Sequence, residues 1–162
     1  MSNAAPLLTM EEVNWVPTTQ ISSLSVTDLH RVQSIFLTET GENYQLENLR
    51  RLPVSESAGS QMIIDTNGVI HGVLWAMNVD HHTTRILGFC ITKKYQRIGL
   101  GKLGWDKFAA IAKSNGRRTV YLEVRESNQD AIRFYKKRGL EEIGALSNYY
   151  QGSKGIVMQG SL

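Results

Sequence analysis

Apolar and polar residues along the chain follow two different periods, which predicts a domain that mixes helices with strands. Residues 86–92 are apolar without clean alternation, as expected for a strand that is covered on both faces. Thr119–Arg125 alternates between apolar and polar side chains, as expected for a half-buried strand. A helical period runs through residues 101–114 between them, and Gly116 ends it as a C-terminal cap. The centre of the chain is therefore predicted to be a strand, a helix and a second strand.

The flanking segments predict further elements. A helix capped by Thr27 and a second helix over residues 43–51 come first, and Thr66-Asn67-Gly68 then joins two strands as a hairpin turn. Short strands are predicted at residues 20–24, 61–65 and 69–79, two more within residues 140–158, and a last helix capped by Ser127 or Asn128. Residues 1–19 are predicted to form a tail and residues 20–162 a single domain.

Bulk composition narrows the class of protein. The chain has 162 residues, 41% hydrophobic and 20% charged, and no apolar run approaches the length of a membrane span. The net charge of +3 is too small to indicate nucleic-acid binding. With the single cysteine Cys90 and no visible signal peptide, we expect a cytoplasmic protein without a disulfide framework. His81 and His82 are neighbours in a turn without further ligands, so no metal site is predicted.

The chemistry is predicted to centre on the turn Gln96-Arg97-Ile98-Gly99-Leu100-Gly101. Glycine lets the backbone approach a ligand closely, and the first turn of the next helix presents free N–H groups and the positive end of its dipole. Lys93, Lys94 and Lys102 add positive charge beside the turn. This combination indicates an anion site, most simply a cradle for a pyrophosphate. A glycine turn that binds no ligand is the plain alternative.

A dinucleotide-binding oxidoreductase is a second interpretation of the same glycines. Gly99, Gly101 and Gly104 spell GxGxxG, and Glu123 follows at a distance suited to binding a ribose. That fingerprint should open a long run of β-α-β units. Fewer than half of the residues follow it here, and the segment before it predicts antiparallel hairpins. The pattern therefore favours an anion site in a different fold.

Four motifs in a fixed order carry a family resemblance: YQRIGLG at 95–101, LEVRESN at 122–128, AIRFYKKRG at 131–139 and NYY at 148–150. Together they resemble the GNAT family of acyl-CoA-dependent N-acyltransferases, and in particular its RimI-type protein N-terminal (ribosomal-protein alanine) acetyltransferases. The opening ISSLSVTDL at 21–29 is similar to that family too. The resemblance implies an α/β domain of GNAT type, with a mixed, mostly antiparallel sheet, helices on both faces, and a splay at the cofactor-binding strands.

The resemblance also implies roles for individual residues. Glu123 and Tyr135 would be the catalytic acid–base pair, and Tyr149 and Tyr150 would contact the acceptor. Acetyl-CoA, as cosubstrate and without a metal, would be held by Phe89, Cys90, Ile91, Gln96, Arg97, Ile98, Gly99, Leu100, Gly101, Lys102 and Asn128. The plain alternatives are an ion pair of Glu123 with Arg125 or Arg97, and simple core packing for Tyr135.

These expectations describe an enzyme that transfers an acetyl group directly, in a ternary complex, to the N-terminal α-amine of a protein or peptide, ribosomal proteins included. Two regions on the acceptor side depart from the RimI pattern. Residues 37–44 lack its proline and tryptophan, and Lys154-Gly155 stands where an acidic residue and alanine are usual. A small-molecule amine as acceptor and a non-catalytic CoA- or nucleotide-binding module therefore stay open as alternatives. Neither nucleic acid nor membrane is expected as a partner.

Overall fold

The computed structural model describes residues 12–18, 20–150 and 153–162, except for the side chains of Tyr149 and Tyr150. Over these residues the chain forms seven strands and four α-helices. The strands are β1 Val13–Pro17, β2 Gln61–Asp65, β3 Ile70–Asn78, β4 Thr83–Ile91, β5 Thr119–Arg125, β6 Glu141–Tyr150 and β7 Ser153–Ser161. The helices are α1 Val26–Thr40, α2 Leu46–Arg50, α3 Leu100–Ser114 and α4 Gln129–Lys137.

All seven strands belong to one open sheet, in the order β1-β2-β3-β4-β5-β7-β6. Neighbouring strands are antiparallel except β4 and β5, which are parallel. Parallel neighbours need a crossover connection, and α3 supplies it between the end of β4 and the start of β5. The mixed, mostly antiparallel sheet predicted from the sequence is confirmed.

The helices cover both faces of this sheet and enclose two hydrophobic cores. On one face, Val32 and Phe36 of α1 are buried with Trp75 of β3. On the other face, Phe108 of α3 is buried with Leu122 of β5. Because side chains alternate along a strand, the polar side of β5 that carries Glu123 lies on the face that α1 covers.

The N-terminal region differs from the prediction. The prediction of an N-terminal tail is wrong for residues 13–17, which form β1 and pair with β2. Residues 1–11 lie outside the described part of the chain. Val13 and Trp15 are buried on one side of β1. The strand predicted at residues 20–24 is also wrong, because Ile21–Ser23 forms a 3-10 turn. A local hydrogen bond stabilises this turn, because the Ser23 hydroxyl donates to the Gln20 carbonyl (2.6 Å).

The helices begin and end near their predicted positions. The N-cap of α1 is Ser25 instead of Thr27, and its hydroxyl accepts from the Asp28 N–H (3.1 Å). α2 is shorter than predicted. The cap at Gly116 is confirmed by its left-handed φ of +85°. Within the described ranges, no helix is both long and apolar enough to cross a membrane.

Candidate active site

Strands β4 and β5 pair over three residues and then diverge. The paired positions run from Thr83 and Thr119 to Arg85 and Tyr121, after which β4 continues beside β3 and β5 beside β7. The divergence opens a groove between the two strands. Six of the eleven residues predicted to hold the cofactor line this groove: Phe89, Cys90, Ile91, Gln96, Gly101 and Asn128.

The glycine turn borders the groove, and two of its residues have a left-handed backbone. Arg97 and Gly99 are left-handed, with φ of +63° and +88°, and Gly99 is the N-cap of α3. The helix starts at Leu100, one residue before the predicted start, and carries no acidic residue in its first turn. Arg97, Ile98, Gly99 and Lys102 are exposed. The side chain of Leu100 is buried in the core, so this residue can offer a ligand only its backbone.

The side chain of Gln96 lies in the groove and stabilises this turn by hydrogen bonds. Its side-chain amide donates to the carbonyl of Ile91 (2.7 Å) and to the carboxylate of Glu39 on α1 (2.8 Å). Glu39 also accepts from the backbone N–H of Lys93 (3.3 Å). The amide nitrogen of Gln96 is thus engaged by the protein itself, and it ties the turn to β4 and α1.

A second cavity contains the predicted acid–base pair. Glu123 and Tyr135 both line it, together with Phe89 and Asn128. Phe89, Asn128 and Tyr135 line the groove as well, so the two spaces meet at these side chains. Asn128 is also the N-cap of α4, where its Oδ1 accepts from the Ala131 N–H (3.2 Å). The fold therefore brings together residues that are separate in the sequence.

Glu123 forms a two-pronged ion pair with Arg85 of β4. Arg85 Nη2 lies 3.0 Å from Glu123 Oε1, and Arg85 Nε donates to Glu123 Oε2 (3.2 Å). The Glu123 side chain is 12% exposed and that of Arg85 33%. Arg85 therefore differs from Arg125 and Arg97, the partners that the sequence suggests for a structural Glu123.

Tyr135 is buried against aromatic rings. It is 7% exposed and packs against Trp105 and Phe134, with ring centroids 5.9 and 5.6 Å away. Burial raises the pKa of Tyr135 well above its ordinary value, and the neighbouring Cys90 adds to this shift. Its hydroxyl therefore stays protonated near neutral pH, and it can donate a hydrogen bond.

Cys90 lines the groove and is also buried among the hydrophobic residues of one core. It is 6% exposed. Burial raises its pKa far above the ordinary range, with smaller contributions from Glu42 and Glu39. A thiol in this state is a poor nucleophile.

Sequence reasoning missed several residues of the site. Phe134 and Glu39 line the groove, and Arg85 holds Glu123. Phe134 could have been found from the helical period, because it lies one turn after Ala131 on α4. Arg85 could not, because its contact depends on the register of two strands.

The side chains of Tyr149 and Tyr150 lie outside the described residues, and their contact with the acceptor stays a prediction.

The model of the acetyltransferase (GNAT) family matches residues 17–140. This chain belongs to the GNAT family. The predicted resemblance and the predicted GNAT fold are therefore confirmed.

One curated relative of this GNAT protein is the ribosomal protein bS18-alanine N-acetyltransferase of Haemophilus influenzae. The two are 35% identical over 94 residues, which are 57% of this chain and 62% of the relative. The chain spans less than two thirds of the length of the curated relatives that it matches.

Two solved structures share the GNAT fold over nearly their whole length. Ard1 from Thermoplasma volcanium has a TM-score of 0.78 and 27% identity, covering 93% of this chain and 98% of its own. NAA60 from Arabidopsis thaliana, solved in complex with acetyl-CoA, has a TM-score of 0.73 and 17% identity, with the same coverage.

Proposed function

We propose that this GNAT protein acetylates the N-terminal α-amine of a protein or peptide, with acetyl-CoA as the acetyl donor. The observation that carries the proposal is the meeting of groove and cavity at Phe89, Asn128 and Tyr135. This meeting point lies between the predicted cofactor turn and Glu123. The H. influenzae relative is named for acetyl transfer to an alanine of a ribosomal protein, which supports an α-amine as the acceptor.

The groove suits a long cosubstrate that carries phosphates. Beyond Arg85, the edge of β4 that faces β5 is not paired with that strand, and the backbone groups of Phe89 and the N–H of Ile91 can bond an amide-bearing arm. The first-turn N–H groups of α3 and the exposed charges of Arg97 and Lys102 can hold a pyrophosphate. These features fit acetyl-CoA.

An α-amine needs little help to react. With a pKa of about 7.7–8.0 it is roughly one-tenth free base at pH 7, whereas a lysine side chain is free only to about 0.04%. During transfer the amine nitrogen bonds to the acetyl carbon, the carbon–sulfur bond breaks, and one proton leaves the nitrogen. In the proposed step Glu123, which lines the cavity, accepts that proton and releases it to solvent, while the sulfur leaves as a thiolate and takes up one proton from solvent, so that the products are the amide and the CoA thiol. The hydroxyl of Tyr135, which lines both the groove and the cavity, donates a hydrogen bond to the departing sulfur in this proposal.

The test is to incubate the protein with acetyl-CoA and a library of peptides that differ in their first residues, and to locate the acetyl group by mass spectrometry. We expect it on the α-amine, and we expect Glu123→Gln to lower turnover on the order of a hundredfold or more. Glu126→Gln is the matched control, because Glu126 is exposed just after β5. Transfer confined to polyamines or free amino acids in the same assay would contradict the proposal.

A further inference from the structure

The face of α4 that lines the groove ends in an arginine. Ala131, Phe134 and Tyr135 belong to this face and line the groove. Arg138 follows Phe134 by one turn on the same face and is the C-cap of the helix. Its guanidinium carbon lies 3.8 Å from the ring centroid of Phe134, so the cation stacks on a ring of the groove wall. This face of α4 therefore leads along the groove to a positive charge.

The guanidinium of Arg138 has hydrogen-bond donors to spare. Besides the stacking, its side chain makes one long hydrogen bond, from Nη1 to the carbonyl of Phe134 (3.5 Å). Its Nε is buried and bonds to no group in residues 12–18, 20–150 and 153–162. Arg138 is half-buried, and no carboxylate in those ranges pairs with it. A cation that is partly desolvated without an anion beside it is unfavourable, and an anionic ligand would relieve this.

Two other basic side chains of α4 already have acidic partners. Arg133 pairs with Asp130 on the same helix. Lys136 Nζ lies 3.4 Å from a carboxylate oxygen of Glu142 on β6. Arg138 differs from both, because its partner is an aromatic ring of the groove and not a carboxylate.

The ring of Phe134 also connects Arg138 to the start of α3. A Cβ on Gly101 would lie 3.6 Å from this ring, so Gly101 and Arg138 both lie beside it. The first turn of α3 is where the pyrophosphate of acetyl-CoA is proposed to bind. Next to its pyrophosphate, CoA carries a phosphomonoester on the 3′ oxygen of its ribose, with a charge of about −1.5 to −2 at pH 7. The planar fork of a guanidinium suits such a group.

We propose that Arg138 binds the ribose 3′-phosphate of CoA and thereby makes the groove select CoA over 3′-dephospho-CoA. The inference rests on the proposed function for the use of acetyl-CoA, and it deepens that proposal. Phe134 orients the guanidinium, while the glycine turn holds the pyrophosphate. The two phosphate sites thus belong to different helices.

The test is calorimetry of CoA and 3′-dephospho-CoA binding to the full chain, without an acceptor. We expect the parent to bind CoA roughly tenfold more tightly or better, because a charge-assisted hydrogen bond to phosphate is lost in the dephospho form. Arg138→Gln should lose most of this preference while its affinity for 3′-dephospho-CoA stays parental. Lys136→Gln is the matched control, because it removes the same charge from the same helix on the side of Glu142, and it should keep the preference.

A second variant separates charge from packing. Arg138→Met keeps an unbranched apolar stem against Phe134 and should lose the preference as Arg138→Gln does. Three results overturn the inference: equal binding of the two ligands by the parent, a preference retained in both Arg138 variants, or an equal loss of affinity for both ligands. The last result, together with a lower Tm, would show that Arg138 only stabilises the end of α4.

These titrations contain no amine, so they are independent of the acetylation assay. A parent that acetylates α-amines but binds CoA and 3′-dephospho-CoA equally overturns the inference and leaves the proposed function standing. A parent that selects CoA through Arg138 but acetylates no α-amine overturns the proposed acceptor and leaves the phosphate site standing. A parent that binds neither ligand overturns both.

Discussion

The indole of Trp15 lies directly against Gly104 of α3. A Cβ on Gly104 would come within 2.5 Å of two carbons of the indole ring. The Trp15 Nε1–H also donates to the carbonyl of Leu100 at the start of the same helix (2.9 Å). Edge strand β1 is thus fastened to the helix that follows the glycine turn. The third glycine of the GxGxxG spelling therefore has a packing role in this fold, and it does not require a dinucleotide.

We expect Gly104→Ala to destabilise the protein. Overpacking costs roughly 1–3 kcal/mol, and the better helix propensity of alanine returns at most about 1 kcal/mol. Urea unfolding measures the difference. In a Trp15→Leu background, which makes room for the methyl group, the same substitution should be neutral or stabilising. The packing argument fails if the loss is equal in both backgrounds.

Asp65 predicts a pH dependence of stability. Its carboxylate accepts from His71 Nε2 (2.8 Å) and from the N–H groups of Asn67 and Val69 (2.8 and 3.0 Å). These bonds, that to His71 first, lower the pKa of Asp65. A lowered pKa stabilises the fold fully above the unfolded value of about 3.9, and this stabilisation is lost as pH falls through the folded value.

We therefore expect Asp65→Asn to be less stable than the parent at pH 7, and the difference to shrink near pH 3. Urea unfolding at the two pH values measures it. Asp106→Asn, on the exposed side of α3, serves as the control. A stability difference that does not depend on pH would mean that the carboxylate charge of Asp65 is not what stabilises this hairpin.

Local patterns predicted the elements whose signals are contained within a few residues. The bounds of β5 agree with the prediction because its alternation is unbroken, and the turn at Gly68 and the cap at Gly116 have the left-handed φ that favours glycine. β1 was missed because it is short, ends at Pro17, and is stabilised by pairing with β2 much further along the chain.

The candidate site also contains residues that the sequence predicts and residues that it does not. The family resemblance selected Glu123, Tyr135 and Asn128, and the fold brings all three to one cavity. Arg85 was missed, because its contact with Glu123 depends on the parallel register of β4 and β5, which sequence patterns do not encode. Glu39 was missed for a similar reason, since α1 meets the glycine turn through tertiary packing.

The glycine turn predicts a charge-sensitive cofactor site. We expect Gly101→Asp to weaken acetyl-CoA binding at least tenfold in calorimetry, because it places a negative charge where phosphates are proposed to bind. A Cβ at Gly101 would make only an ordinary contact, 3.6 Å from Phe134, so the variant should still fold. Ala110→Asp adds the same charge on the exposed side of α3 as a control. Parental affinity in Gly101→Asp would rule out the assignment.

Tyr135→Phe tests the role proposed for the buried hydroxyl. The substitution keeps the ring against Trp105 and Phe134 and removes only the oxygen. If the hydroxyl donates to the departing sulfur, turnover should fall on the order of tenfold or more, with little change in Tm or in acetyl-CoA affinity. Because burial raises the pKa of Tyr135, the hydroxyl keeps its proton to at least about pH 10, so the parent should not lose turnover between pH 8 and 10 through this group. Stopped-flow or steady-state rates across that range measure both effects. Near-parental turnover in Tyr135→Phe would show that the sulfur departs without help and that Tyr135 serves the core.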